Sequence, residues 1–373
     1  MFKNSYVNKY DLPILSSLLI LNIITVLCFP LYIYYNGIVW QEPVLFVVGW
    51  IIAGLGITIG YHRYFSHKAF KTYPFIEWIL MFFGTMGLQN RIINWCSDHR
   101  RHHRKLDTDQ DPYSIKEGFI HAHIGWIVKK DDRPISGISD LTSKSCVKFQ
   151  NIFYWPMVGL FCFIIPLIIG FLFDRPIGGL LWGGIVRVVL VHHFTFFINS
   201  LCHFKGKRSY DLYTTARDSW LTAFFTFGEG YHNYHHKFQF DYRNGIKWYS
   251  FDPSKWVIKV LSLLKLTYKL RKAPVQSILY ARIETVNNKI SSLSKKINIS
   301  TSHQKKIIRI TKNAYKKIDA WKIVEKKYHS IKNSKLTKRQ TLLYNKKKKD
   351  FEIEIKNALS SLMLIFLNLK KTL

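Results

Sequence analysis

Four long apolar stretches dominate this chain of 373 residues, at about 13–35, 44–60, 152–173 and 178–202. A helix rises about 1.5 Å per residue, so roughly 20 apolar residues cross the hydrocarbon core of a bilayer. Backbone groups in hydrocarbon find no water, which restricts spanning segments to helices or closed barrels. Runs of this length without period-two alternation predict helices. The fold class expected is therefore an all-α membrane protein with four transmembrane helices. A shorter apolar stretch at 74–89 carries Glu77 and several glycines. It reads as an interfacial or re-entrant segment.

Loop charge orients these spans. The connection at 36–43 has no Lys or Arg, and that at 174–176 has only Arg175. Between the second and third spans lie Arg63, Lys68, Arg91, Arg100, Arg101, Arg104, Lys105, Lys129 and Lys130. The positive-inside rule puts that stretch and both termini in the cytoplasm. The polar, mildly basic start shows no cleavable-signal pattern, so the first run is expected to stay as an anchor. The cysteines Cys28, Cys96, Cys146, Cys162 and Cys202 form no CxxC pair. They suggest neither a disulfide nor a zinc framework, in keeping with a site facing reducing cytosol.

The chain is 48% hydrophobic yet carries a formal charge of +32. These properties are separated along it. From residue 276 onward there are 24 Lys and Arg against 6 Asp and Glu, giving +18 of the total. The expected organisation is thus a membrane domain at 1–275 and a basic cytoplasmic extension at 276–373. Ile307, Ile308, Ile310, Tyr315, Ile318, Trp321 and Ile323 have loose helical spacing, predicting one or two amphipathic helices there. Beside a membrane, such charge is read as a solvated face or a contact with anionic lipid, each basic side chain contributing about 1 kcal/mol. No nucleic-acid partner is expected, although basic patches do bind phosphate non-specifically. The apolar end at 359–369 is too short for a span and reads as a dip into the interface.

Histidines carry the chemistry. They fall in HRYFSH (His62, His67), HRRHH (His99, His102, His103) and HNYHH (His232, His235, His236). The last two share the spacing i, i+3, i+4, which on a helix puts the rings on one face, able to converge on one metal region. His62 and His67 are five apart, a looser arrangement suited to the frayed end of the second span. In NSLCH, Asn199 and His203 stand one turn apart at the end of the fourth. A single such cluster is commonly an exposed or pH-sensing feature, but three together point to metal. Imidazole suits Zn, Cu, Fe and Ni. Eight or nine histidines exceed one tetrahedral zinc and fit two ions of higher coordination. The set lacks the Glu-x-x-His motifs of soluble di-iron bundles. An all-nitrogen shell still holds iron, whereas zinc has no redox chemistry.

The series HRYFSH, DHRRHH, NSLCH and GEGYHNYHH, with these spans, resembles the stearoyl-CoA desaturase family over residues 10–270. The resemblance implies a cytoplasmic helical cap holding a non-haem di-iron site. Matched by motif, its metal ligands, counted as catalytic, are His62, His67, His99, His102, His103, His203, His232, His235 and His236. Asn199 would act through water. The implied reaction uses O2 and two external electrons to place a cis double bond, at Δ9, in a saturated acyl-CoA. In the family a Trp and a Thr shape the kink of the substrate tunnel, matched here by Trp95 and Thr195. Gln89 and Asn90 match positions near the bend and the substrate carbonyl. The tunnel's end is expected on the second span, with Trp50 as plug and Gly54 beside it. A bulky plug there would limit chains to roughly C16–C18, since a helical turn spans about 5.4 Å.

The match is incomplete at the carrier site. Asp98 and Lys130 match residues that hold the CoA headgroup, but Ser97 and Asp131 stand where animal members carry Arg and Lys. Either Lys129, Arg101 or the basic tail compensates, or the carrier is acyl-phospholipid or acyl-ACP. A lipid hydroxylase on the same scaffold is the competing reaction; a metal-binding protein without catalysis, or a scaffold built on the basic tail, is the competing class. No haem-binding HPGG segment occurs, so the donor is expected to be separate: cytochrome b5, ferredoxin, or a flavoprotein with its reductase. Lys-, Asn- and Ile-rich usage and the lack of a retention signal favour a bacterial inner membrane over endoplasmic reticulum. His121 and His123 read as interfacial near the substrate entrance. His192 and His193 read as polar residues within span four with supporting roles, and Arg187 is expected to pair or snorkel.

Overall fold

A computed structural model describes residues 9–130, 133–297, 299–332 and 337–371. Asp131 lies outside them. Four helices are long and apolar enough to cross a membrane: α1 (Leu12–Asn36), α2 (Gln41–Ser66), and two more following a long connection. That connection holds the apolar helix α3 (Pro74–Thr85) and the polar helix α4 (Ile92–Lys105). Spans α5 (Ser145–Phe171) and α6 (Pro176–Phe204) follow. The chain is thus a multi-pass, all-α membrane protein. Among the described residues, extended structure amounts to one short antiparallel pair, β1 (Lys71–Thr72) with β2 (Thr267–Tyr268), and isolated bridges.

The spans form where the sequence placed them, with ends displaced by a few residues. Helix α1 carries Pro13 in its first turn, where the fixed φ fits, and Asp11 caps it by accepting from Ile14 N at 3.1 Å. Its side chains are largely exposed, which is the arrangement for a helix bathed in lipid. Helix α2 differs more. It runs to Ser66 rather than to about residue 60, and its last eleven residues, Gly56–Ser66, are buried π-helix. The extension survives because its polar residues have partners, so hydrophobicity alone underestimates its length.

After α6 come three short helices, α7 (Trp220–Phe225), α8 (His232–Lys237) and α9 (Pro253–Leu263). With α2, α3 and α4 they build the polar cap. The core here is aromatic and aliphatic, centred on Tyr61, Phe65, Phe70, Met81, Ile92 and Ile258.

The chain divides into two compact units, one of Met1–Lys207 with Thr214–Lys272, the other of Arg208–Tyr213 with Ala273–Leu373. The second contains three helices, α10 (Val275–Ser294), α11 (Thr301–Lys332) and α12 (Lys338–Lys371). They bury Leu279, Ile283, Ile318, Trp321, Ile355, Leu359 and Leu362 against one another. The apolar end at 359–369 is therefore no interfacial dip throughout: Leu359 and Leu362 are core residues of this unit. Their spacing of three is helical, and the partners that cover them lie in α10 and α11.

Candidate metal centre

Backbone geometry explains the histidine spacings. In the π-helical end of α2, the N–H of His67 donates to His62 O at 3.1 Å, an i to i+5 bond. Five residues close one turn in that geometry. The two imidazoles therefore share a face, with ring centroids 4.7 Å apart. The end of α2 is wound more widely, not frayed as the spacing first suggested.

The two i, i+3, i+4 triplets do not each serve one site. A helix turns about 100° per residue, so i and i+4 stay within about 40° while i+3 and i+4 diverge by about 100°. Accordingly His99 and His103 from α4 join His62, His67 and His235 in one group. His102 instead joins His203, His232 and His236. Within each group the ligand atoms all lie within 4.8 Å of one another. The nine histidines singled out in the sequence are thus brought together, five and four.

The donor set fits metal ions. Nε2–Nε2 separations are 3.0 Å for His62–His235, 2.8 Å for His67–His99 and 3.0 Å for His235–His103. In the second group they are 2.9 Å for His232–His203 and 3.0 Å for His236–His232. With bonds of about 2.1 Å, ligand nitrogens at right angles sit about 3.0 Å apart, against about 3.4 Å for a tetrahedron. The spacing is short enough for the imidazoles of each group to share an ion. Neutral imidazole has one donor and one acceptor, so converging Nε2 atoms cannot all satisfy one another. The buried Nε2 of His102 has no hydrogen-bond partner. Burial first, then neighbouring histidines, holds His67, His99, His103, His232, His235 and His236 well below the ordinary imidazole value. The rings are therefore uncharged, as metal ligation requires.

Outer partners fix the rings. The Nδ1–H of His102 donates to Asp111 Oδ1 at 2.7 Å. The Nδ1–H of His203 donates to Thr215 Oγ1 at 2.8 Å, and that hydroxyl donates to Asp107 Oδ1 at 2.6 Å. Each bond leaves the Nε2 lone pair facing its group. His62 Nδ1 lies 2.8 Å from Glu229 Oε2. Glu229 also meets Arg63 at 3.0 Å and accepts from Asn244 at 2.7 Å. Burial raises the Glu229 carboxyl, but His62 and Arg63 overcome it and hold it below the usual range. Sequence reasoning missed Asp107, Asp111, Thr215 and Arg63 in these roles. Glu229 stood in the quoted GEGY motif without one. The available signal was the acid-rich stretch at 107–111 directly after the second cluster.

A cavity of about 970 Å³ reaches both groups, its wall including His62, His99, His102 and His232. Trp95 stacks on His99 with centroids 4.8 Å apart. It donates to Gln89 Oε1 at 3.3 Å, and Gln89 Nε2 donates to Thr195 Oγ1 at 2.7 Å. Asn90, at φ +76°, donates its N–H to Tyr154 Oη at 2.7 Å. Trp50 packs on Phe227 at 5.0 Å and Phe194 at 5.9 Å. A Cβ on Gly54 would lie 2.1 Å from a Phe227 ring carbon, so only glycine fits beside that ring. Trp50, Gly54, Gln89, Asn90, Trp95, Thr195 and Asn199 all line the cavity. Phe227 and Phe194, also in the wall, were not anticipated.

At the exposed end the wall includes Asp98, Lys129 and Arg133. Lys130 is not part of it; its backbone N–H donates to Lys9 O at 3.0 Å. Ser97 is buried and accepts from Ser136 N at 2.9 Å, and Arg101 lies 3.6 Å from Asp98. His123 joins His193 and Ser200, each at 3.0 Å, while His121 lies 3.6 Å from Glu117. Burial, then His193, pulls His123 down to about 4.

Comparison with known proteins gives matches of the same character. Residues 39–262 match the family model for fatty acid desaturases. A protein of Schizosaccharomyces pombe named probable acyl-CoA desaturase is 43% identical over 236 residues, 62% of this chain and 49% of that one. Acyl-CoA desaturase 1 of Saccharomyces cerevisiae is 38% identical over 288 residues, 74% of this chain and 56% of that one. The sn-1 stearoyl-lipid 9-desaturase of Anabaena variabilis is 34% identical over 232 residues, 60% and 81% of the respective chains. The chain spans about half the length of the two yeast relatives. Since the matched segment covers more than half of the chain and contains all nine converging histidines, the chain belongs to the fatty acid desaturase family.

Proposed function

We propose that this chain is a fatty acyl desaturase that inserts a cis double bond, at Δ9, into a saturated acyl-CoA. The observation that carries the reading is the cavity, whose wall brings His62, His99, His102 and His232 of the two histidine groups together with a largely apolar lining that includes the hydrogen-bonded Trp95, Gln89 and Thr195. Its volume of about 970 Å³ is at the upper end for ligand pockets, as a long acyl chain needs. In balance, –CH2–CH2– with O2, two electrons and two protons yields –CH=CH– and two waters. Iron in the two groups, when bound, would supply with O2 the oxidising power that unactivated C–H bonds demand.

The remaining work falls to the chain. The Gln89–Thr195 and Trp95–Gln89 bonds fix the bend, Trp50 and Phe227 stop the methyl end, and the apolar wall excludes water. Asn199, in the cavity wall four residues before His203 on α6, is proposed to reach the second group through water. Lys129, Arg133 and Asp98 support a phosphorylated, adenylated carrier such as CoA at the exposed end. Electrons are proposed to come from a partner redox protein, a cytochrome b5, ferredoxin or flavoprotein with its reductase. The basic loops favour a cytoplasmic site face, and the basic extension is proposed to contact anionic lipid. Higher identity to the two yeast chains than to the cyanobacterial one moves the proposed membrane from bacterial inner membrane to endoplasmic reticulum.

Expression in a desaturase-deficient host, with fatty-acid profiling and His232→Ala as control, tests this. Acids two hydrogens lighter should appear with the unaltered chain alone. Acids one oxygen heavier, or no new acid, would overturn the reading.

A further inference from the structure

Between α3 and α4 the chain leaves helical geometry at 86–91, with Leu88 and Asn90 at φ +49° and +76°. This break carries Gln89 and Asn90, and residues 88–90 line the cavity. Non-helical backbone beside membrane spans is tolerated only when its polar groups find partners in the protein. Here two residues of α6 supply them. Arg187 Nη1 donates to Met86 O at 2.5 Å, and its Nε donates to Gly183 O at 2.7 Å. His192 Nε2 donates to Leu88 O at 2.8 Å, with Gly87 O at 3.1 Å. Arg187 is fully buried and His192 is 6% exposed. Of the two expectations for Arg187, it pairs rather than snorkels: its guanidinium is fully buried and bonds carbonyls inside the bundle. Gly49 makes room, since a Cβ there would lie 2.7 Å from Arg187 Cδ.

We propose that Arg187 and His192 are positioning residues that set where along the acyl chain the double bond forms. Register along α6 carries this role. His192, Thr195, Asn199 and His203 follow at spacings of three, four and four on α6, which keeps them near one face. The same helix thus holds the carbonyls of the break, the hydroxyl that Gln89 reaches, and a ligand of the second histidine group. It acts as a ruler between the bend and the reacting centre. Loosening the carbonyl clamp lets Gln89 and the bend slide relative to the histidines. Shifts near 1 Å change the rate at a given carbon by up to about a hundredfold, enough to let a neighbouring methylene compete.

This role rests on the desaturase reading, and the test separates the two. The full-length chain, its His192→Leu, His192→Gln and Arg187→Met variants are expressed in membranes, and double-bond positions are mapped by mass spectrometry of derivatised products. With the unaltered chain one positional isomer should dominate. His192→Leu and Arg187→Met should raise neighbouring isomers at least about tenfold. His192→Gln, which keeps a donor, should return towards the original ratio. If Arg187→Met does not accumulate, the two His192 variants decide. An unchanged isomer ratio in His192→Leu, whatever the yield, overturns the positioning role while leaving the desaturase reading intact. An unaltered chain without any unsaturated product overturns both.

Discussion

Single residues show how the converging imidazoles are kept in place. The nine converging histidines were legible in the sequence because their spacing is dictated by helical turns. Their orienting partners were not, since Asp111, Thr215 and Glu229 are tied to their rings by tertiary contacts. Asp111 is 2% exposed and bonds His102. Asp111→Ala should lower iron affinity of the four-histidine group by about 10–100-fold, read by metal titration of purified protein. An unchanged affinity would show that His102 is held by packing alone. Glu229 has a second duty, because Arg63 is 1% exposed and pairs with both Glu229 and Asp252. Truncating one partner of a buried pair costs about 3–5 kcal/mol. Glu229→Ala should therefore lower the thermal midpoint markedly even in metal-free protein, and a midpoint like the parent's would count against that account.

At the scale of elements, the lesson lies in winding. Hydropathy located all four spans, but it ended α2 too early, because Arg63 and His62 look like loop residues until Glu229 is known to meet them. The five-residue gap between His62 and His67 looked loose against an α-helical template and is one full turn of the π-helix actually formed. Inserting one alanine between Ser66 and His67 should swing His67 out of its group and reduce iron loading, measured by metal analysis, with the four spans still inserted. Loading equal to the parent's would show that His67 is not a ligand. The triplets, expected to converge on one region, instead divide between two groups, a consequence of the divergence between positions i+3 and i+4. Trp50 lies on α2 between Phe194 and Phe227. Trp50→Ala should extend the accepted chain by up to one helical turn, about 5.4 Å, read from product chain lengths. An unaltered profile would remove Trp50 as the stop.

For the whole molecule, charge and apolarity are divided by unit. The extension's basic content was plain in the sequence, and its three-helix packing was not, since the loose periodicity of residues 307–323 does not reveal which helices cover it. Four consecutive lysines at 346–349 lie on α12. If they meet anionic lipid, reconstituted protein should be cut there more slowly in anionic than in zwitterionic vesicles, and high salt should abolish the difference. Equal cleavage in both would argue for a purely solvated face. In the membrane unit, nine imidazoles from α2 and its C-cap, α4, α6 and α8 are proposed to hold two irons beside the cavity. The most direct measurement is iron per chain after anaerobic Fe(II) loading, for the parent and for His99→Ala and His232→Ala. The account predicts about two irons in the parent and loss from a different group in each variant, which spectroscopy of the remaining iron distinguishes. A parent that binds no iron, or variants that bind as the parent does, would contradict it.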